Sequence, residues 1–134
     1  MRTVTIDTPR IGVSRLARAV ALATAVTMVA ACRRNETSVI PGASIDRGQQ
    51  SLAGFGCGSC HVIDGVTGAH GKIGPPLTGI AERAIIAGQL ANTPENMVRW
   101  IRDPVAVEPG TAMPNLHVGE TTARDMVAYL YTLR

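Results

Sequence analysis

The sequence predicts an all-α domain of three to five helices, and three observations predict it. Residues 44–55 and 93–103 each open on a helix-capping residue and carry apolar side chains at helical spacing. Residues 120–133 repeat that spacing with Ala123, Met126, Val127, Leu130 and Leu133. Between the first two stretches lies Cys57-Gly58-Ser59-Cys60-His61, a C-x-x-C-H run that reads as the covalent attachment site of one c-type haem, around which the helices would wrap.

The chemistry of that run follows from its spacing. Two thiols three positions apart can each add to one vinyl group of a porphyrin, and His61 then offers an imidazole nitrogen to the iron. Gly58 and Ser59 are small enough to let the backbone pass close to the porphyrin edge. The competing readings are a zinc site and a redox-active C-x-x-C. Structural zinc usually takes four ligands from two such pairs, and the chain has no second pair. A thioredoxin-like motif calls for a βαβ surround, of which there is no sign.

Charge and composition bound the rest. The 134 residues suit one small domain, and the formal charge is +3. Residues 1–31 carry four Arg against Asp7, whereas residues 32–134 hold nine cations and nine acids, so the excess belongs to the leader. Nothing here points to nucleic acid. Phe55, Trp100, Tyr129 and Tyr131 are the aromatics, a thin supply for a core of about 90 residues. A buried porphyrin would provide the missing apolar bulk.

From the N-terminus, an Arg-bearing stretch to Arg18 precedes thirteen apolar residues, Ala19 to Ala31, which is signal-peptide length and short of the roughly 20 residues that span a bilayer. The run ends in Val29-Ala30-Ala31-Cys32, which resembles the bacterial lipoprotein cleavage box, with Val29 where Leu is usual. That resemblance implies removal of residues 1–31 as a signal peptide and lipidation of Cys32. Ordinary cleavage near Ala31 and an uncleaved signal anchor are the alternatives. Residues 32–43, with Pro41-Gly42, read as lipidated Cys and flexible tether. An Asp after the Cys favours inner-membrane retention in some bacteria; Arg33 stands there instead.

Residues 44–134 form the expected domain. Ser44 caps a helix from Ile45 to Phe55, and Gly48 within it marks a close approach by another helix. Five glycines and Pro75-Pro76 make residues 62–81 a loop, long enough to serve a function. Residues 82–91 read as a short helical turn apart from Gly88. Thr93-Pro94-Glu95 is a helix start, and that helix stops at Asp103-Pro104. A turn at Glu108-Pro109-Gly110 then presents Met113, and Gly119 is a permissible cap for the last helix, Glu120 to Leu133.

In their order, Gly48, the C-x-x-C-H run, Gly74-Pro75-Pro76-Leu77 and Met113 resemble a class I cytochrome c. The resemblance implies that fold over residues 44–134, with one haem c bound through Cys57 and Cys60 and ligated by His61. It implies that the Pro75 carbonyl accepts the Nδ1 proton of His61 and that Leu77 packs on the haem. The family has its sixth ligand in a Gly-Thr-x-Met-Pro-like context, which falls on Met113; His70 and His117 are rival imidazoles. Trp100 is either a core residue or the aromatic that lines the haem pocket before the Met loop. The first and last helices are expected to cross, Gly48 against Tyr129 and Leu130.

The segment from Trp100 to Pro114 and the closing Ala-Tyr-Leu-Tyr-Thr-Leu also resemble cytochrome c subunits and fused domains of bacterial terminal oxidases. The cytochrome resemblance implies a one-electron carrier rather than an enzyme, and the leader with its cleavage box implies export to the periplasmic side of a bacterial membrane and lipid anchoring there. Its partners would be redox proteins, a terminal oxidase or an upstream reductase. A cytochrome subunit of a periplasmic dehydrogenase, a haem peroxidase and a gas sensor are the alternatives. With balanced charge over residues 32–134, long-range electrostatic steering toward a partner is expected to be weak.

Overall fold

The computed structural model describes residues 38–134. The expected signal peptide, the Cys32 lipidation site and the first part of the tether lie outside the described residues. No helix among the described residues is long and apolar enough to cross a membrane. The described end of the tether segment is packed: Ile40 is 4% exposed and belongs to the core.

Four α-helices and one small hairpin make up the described chain. Helix α1 is Ile45–Gly54, α2 Pro94–Arg102, α3 Pro104–Val107 and α4 Glu120–Leu130. The Ser44 hydroxyl accepts the Arg47 N–H at 3.3 Å, and the Thr93 hydroxyl accepts that of Asn96 at 3.2 Å. These are the caps that start α1 and α2. Helix α4 ends at Leu130 rather than Leu133, where Thr132 N–H turns back to the Tyr129 carbonyl at 2.8 Å.

Two elements depart from the sequence reading. Asp103-Pro104 ends α2 and also begins α3: the Asp103 carboxylate accepts the Ala106 N–H at 3.2 Å, and Pro104 occupies the first helical position. Residues 82–91 are not a helical turn. A 3-10 turn at Ile80–Glu82 leads into an antiparallel pair, β1 (Ile85–Ile86) and β2 (Leu90–Ala91), so the fold is broadly helical rather than purely α. The β-branched Ile85 and Ile86 suit a strand. Ala87 and Gly88 both adopt positive φ, 51° and 74°, which reverses the chain and forbids a right-handed helix there.

The core forms where α1 crosses α4. Met126 and Val127 are fully buried there, with Leu52 from α1 and Met97 and Ile101 from α2 beside them. Gly48 allows the crossing, but one turn before the expected place. A Cβ at position 48 would stand 2.6 Å from the Asp125 carbonyl carbon and 3.1 Å from Met126 N. Tyr129 instead packs at Gly65 of the glycine-rich loop and donates to the Asp64 carbonyl at 2.6 Å. Asn92 joins the remaining parts: its amide donates to Ile80 O and Arg83 O, both at 2.8 Å, and its carbonyl accepts Tyr131 OH at 2.8 Å.

Candidate haem site

Helix α1 ends at Gly54, and two residues on Gly56, with φ of 71°, turns the chain directly into the C-x-x-C-H run. A 3-10 turn over Cys57–Ser59 follows, and both Cys60 N–H and His61 N–H return to the Cys57 carbonyl, at 3.2 and 3.0 Å. This tight turn holds two half-buried free thiols and the imidazole in one place. Burial pushes the Cys57 thiol above its ordinary pKa; its own backbone hydrogen bond opposes this and the neighbouring Cys60 adds to it.

The glycine-rich loop has two jobs. Its first half plugs the core with Ile63, Val66 and Ala69, each under 7% exposed. Gly58 faces this half: a Cβ there would lie 2.6 Å from Ala69 Cα. Its small size thus serves loop packing. The second half runs back beneath His61. Gly74 N–H donates to the Cys60 carbonyl at 2.9 Å, and the His61 Nδ1 lies 2.7 Å from the Pro75 carbonyl oxygen. A carbonyl only accepts, so Nδ1 carries the proton in this contact, and of the two neutral tautomers it selects the one with the Nε2 lone pair free. A Cβ on Gly74 would fall 2.7 Å from Nδ1 and 2.9 Å from Nε2, which leaves glycine as the residue that fits.

These groups open on a cavity of about 560 Å³. Cys57, Cys60, His61, Pro75, Leu77, Trp100 and Met113 all line it. His117 is exposed and lines a separate groove with Arg99, Arg102 and Asn115; His70 is exposed at a bridge with Val62. Neither rival imidazole reaches the cavity. Met97 serves both core and cavity wall, being 4% exposed in all.

The sequence reading missed part of the wall. Ile80, Ile86 and Leu116 line it, as does Arg83, which donates to the Pro76 carbonyl and, at 3.3 Å, to that of Thr78. Taking 82–91 as helical hid Ile86; its β-branched pair before Gly88 was the available signal.

The residues present fit a covalently held porphyrin. Two free thiols and an oriented imidazole stand at one cavity whose remaining wall is largely aliphatic, with a thioether in reach of the same space.

Comparison with known proteins agrees with that fit. The family model described as Cytochrome c matches residues 45–134. Cytochrome c oxidase subunit 2 of Alkalihalophilus pseudofirmus (strain ATCC BAA-2126 / JCM 17055 / OF4) is 36% identical over 90 residues, covering 66% of this chain and 25% of that protein. Cytochrome c oxidase subunit 2 of Bacillus sp. (strain PS3) is 32% identical over 82 residues, covering 58% of this chain and 23% of that protein. The chain thus spans about a quarter of the length of these curated relatives.

Proposed function

The chain belongs to the cytochrome c family, and from that premise we propose that it is a membrane-tethered, single-haem carrier of one electron at a time, serving a terminal oxidase. It is an electron-transfer protein with covalently bound haem c. When bound, that haem supplies an iron that alternates between the ferrous and ferric states.

In this reading Cys57 and Cys60 would hold the haem through thioethers, and His61 Nε2 and the Met113 sulfur would ligate its iron. The observation that carries it is the 2.7 Å contact between His61 Nδ1 and the Pro75 carbonyl, in the cavity that Met113 also lines. The Pro75 carbonyl fixes the tautomer and makes Nε2 more basic. Met113 provides a soft thioether, which favours the reduced state and so a higher potential than a second imidazole would give. Leu77 and Trp100 exclude water from the space between. With both axial positions filled no site is open to oxygen or peroxide, which favours a carrier over an enzyme.

The likeness to two oxidase subunits supports a terminal oxidase as the destination of the electron. Cys32 as a lipidated residue, on the periplasmic side of a bacterial membrane, supplies the tether and keeps the domain near its partner. The test is to purify the protein from membranes, record its redox spectra and identify what accompanies it. A sulfur-to-iron charge-transfer band in the ferric spectrum, resistance of the ferrous form to carbon monoxide, and a co-purifying oxidase are expected. Ready carbon monoxide binding by the ferrous protein would overturn the six-coordinate assignment, and a co-purifying dehydrogenase would overturn the oxidase assignment.

A further inference from the structure

Two separate segments build the wall of the cavity around Met113. One is the β1–β2 hairpin, whose Ile85, Ile86, Ala87 and Gly88 line the space. The other is the loop after α3, which contributes Glu108, Thr111, Ala112 and Met113. Among the described residues, the hydrogen bonds that join the hairpin to the end of α3 and to the loop after it both come from one side chain. Gln89 Nε2 donates to the Val107 carbonyl at 2.8 Å and to Glu108 Oε2 at 3.1 Å.

What Gln89 grips is the root of a hydrogen-bonded chain that ends at Met113. Glu108 N–H donates to the Pro104 carbonyl at 2.8 Å, which fixes the loop to α3. The Glu108 carbonyl accepts Thr111 N–H at 3.0 Å, and its Oε1 accepts Gly110 N–H at 3.4 Å. The Thr111 hydroxyl then accepts Met113 N–H at 3.1 Å. At the other end, Gln89 N–H donates to the Ile86 carbonyl at 3.2 Å, across the positive-φ pair Ala87 and Gly88. The backbone from which the donor extends is therefore pinned by the hairpin turn.

We propose that Gln89 is a positioning residue that latches the Met113 loop shut over the haem cavity. The proposal rests on the reading of Met113 as the sixth iron ligand. Gln89 touches neither iron nor sulfur; it sets how often the loop swings away and exposes the sixth position to an outside ligand. A latch of two hydrogen bonds to exposed or half-buried acceptors biases that opening by a modest factor, about fivefold if one net bond is lost.

The test uses the haem-loaded protein in its ferric form, with imidazole as the competing ligand. Gln89→Ala is expected to bind imidazole about fivefold more tightly than wild type while keeping the charge-transfer band when imidazole is absent. Gln89→Lys, which retains an N–H donor for both acceptors, is expected to restore the wild-type affinity. Gln89 is exposed, so its replacement leaves the core intact, and thermal unfolding of each variant checks this. An affinity for Gln89→Ala within twofold of wild type, with the band present, overturns the latch alone. A wild-type ferric spectrum without the band, or a Met113→Ala spectrum that keeps it, overturns the Met113 reading and the latch with it.

Discussion

The Asp125 carboxylate, 4% exposed in α4, receives the Arg47 guanidinium side-on, with Nε to Oδ2 at 2.7 Å and Nη2 to Oδ1 at 3.1 Å. The same carboxylate accepts Ser44 N–H at 2.7 Å. It therefore ties α4 to the N-terminal end of α1, where the helix dipole also favours a negative charge. Burial pushes its pKa up, but the Arg47 hydrogen bond, the Ser44 N–H and the Arg47 charge together hold it below the ordinary carboxylate value.

Acid should therefore loosen the helix crossing. A carboxyl with a depressed folded-state pKa contributes its stabilisation fully above its unfolded value of about 3.9, and that contribution is lost as pH falls through the folded value. Denaturant titrations between pH 7 and pH 2 are expected to show a steeper acid loss for wild type than for Asp125→Asn. Asp125→Ala, which leaves Ser44 N–H without its acceptor, is expected to cost about 1–2 kcal/mol at neutral pH. Equal acid slopes for wild type and Asp125→Asn would contradict this.

Gly48→Ala tests the crossing itself. Its Cβ would meet backbone rather than a movable side chain, 2.6 Å from the Asp125 carbonyl carbon, so α1 and α4 must separate. The expected loss is about 3 kcal/mol, read as a lower midpoint in chemical denaturation with an unchanged slope. Gly54→Ala is the control, because nothing lies within 4 Å of a Cβ there.

Gly74→Ala acts on the site rather than on the core. Its Cβ would push against the His61 ring, 2.7 Å from Nδ1, and disturb the bond to Pro75. Poor haem retention, or a lowered and heterogeneous midpoint potential in redox titration, is the expected result. A potential matching wild type would mean that the ring tolerates displacement and that the Pro75 bond does not govern it.

Met113→Ala is expected to lose the sulfur-to-iron band and to let the ferrous protein bind carbon monoxide. Its potential should fall by on the order of 0.1 V, within the roughly 0.8 V range that axial ligands span. Met97→Leu, a volume-conserving change at a buried wall position, should keep the band.

Sequence patterns revealed those parts of the fold that depend on local chemistry. Ser44 and Thr93 are hydroxyl caps, and their helices begin where the hydroxyls accept. The Asp103-Pro104 pair shows the limit of such signals. The same two residues end one helix and cap the next, and only packing decides whether four further residues coil. The hairpin was illegible for another reason. Ala87 at φ 51° occupies a region that costs an L-residue about 1–2 kcal/mol, and no propensity scale points to it. Cys57, Cys60 and His61 stand out by their motif, and Pro75, Leu77, Trp100 and Met113 by family resemblance; all seven border one cavity. What escaped were the contacts between distant segments, such as Gln89 with Glu108 and Gly48 with Asp125.

The haem site and the helix crossing differ in how much chain they must gather. The contact between His61 and Pro75 closes 14 residues, whereas the pairing of Arg47 with Asp125 closes 78. By loop-closure entropy alone the longer closure costs about 1.5 kcal/mol more. The imidazole and its carbonyl partner lie on one short segment that also contains both thiols. The segment that carries both thiols therefore gathers its imidazole and carbonyl at a smaller entropic cost than the helix crossing does.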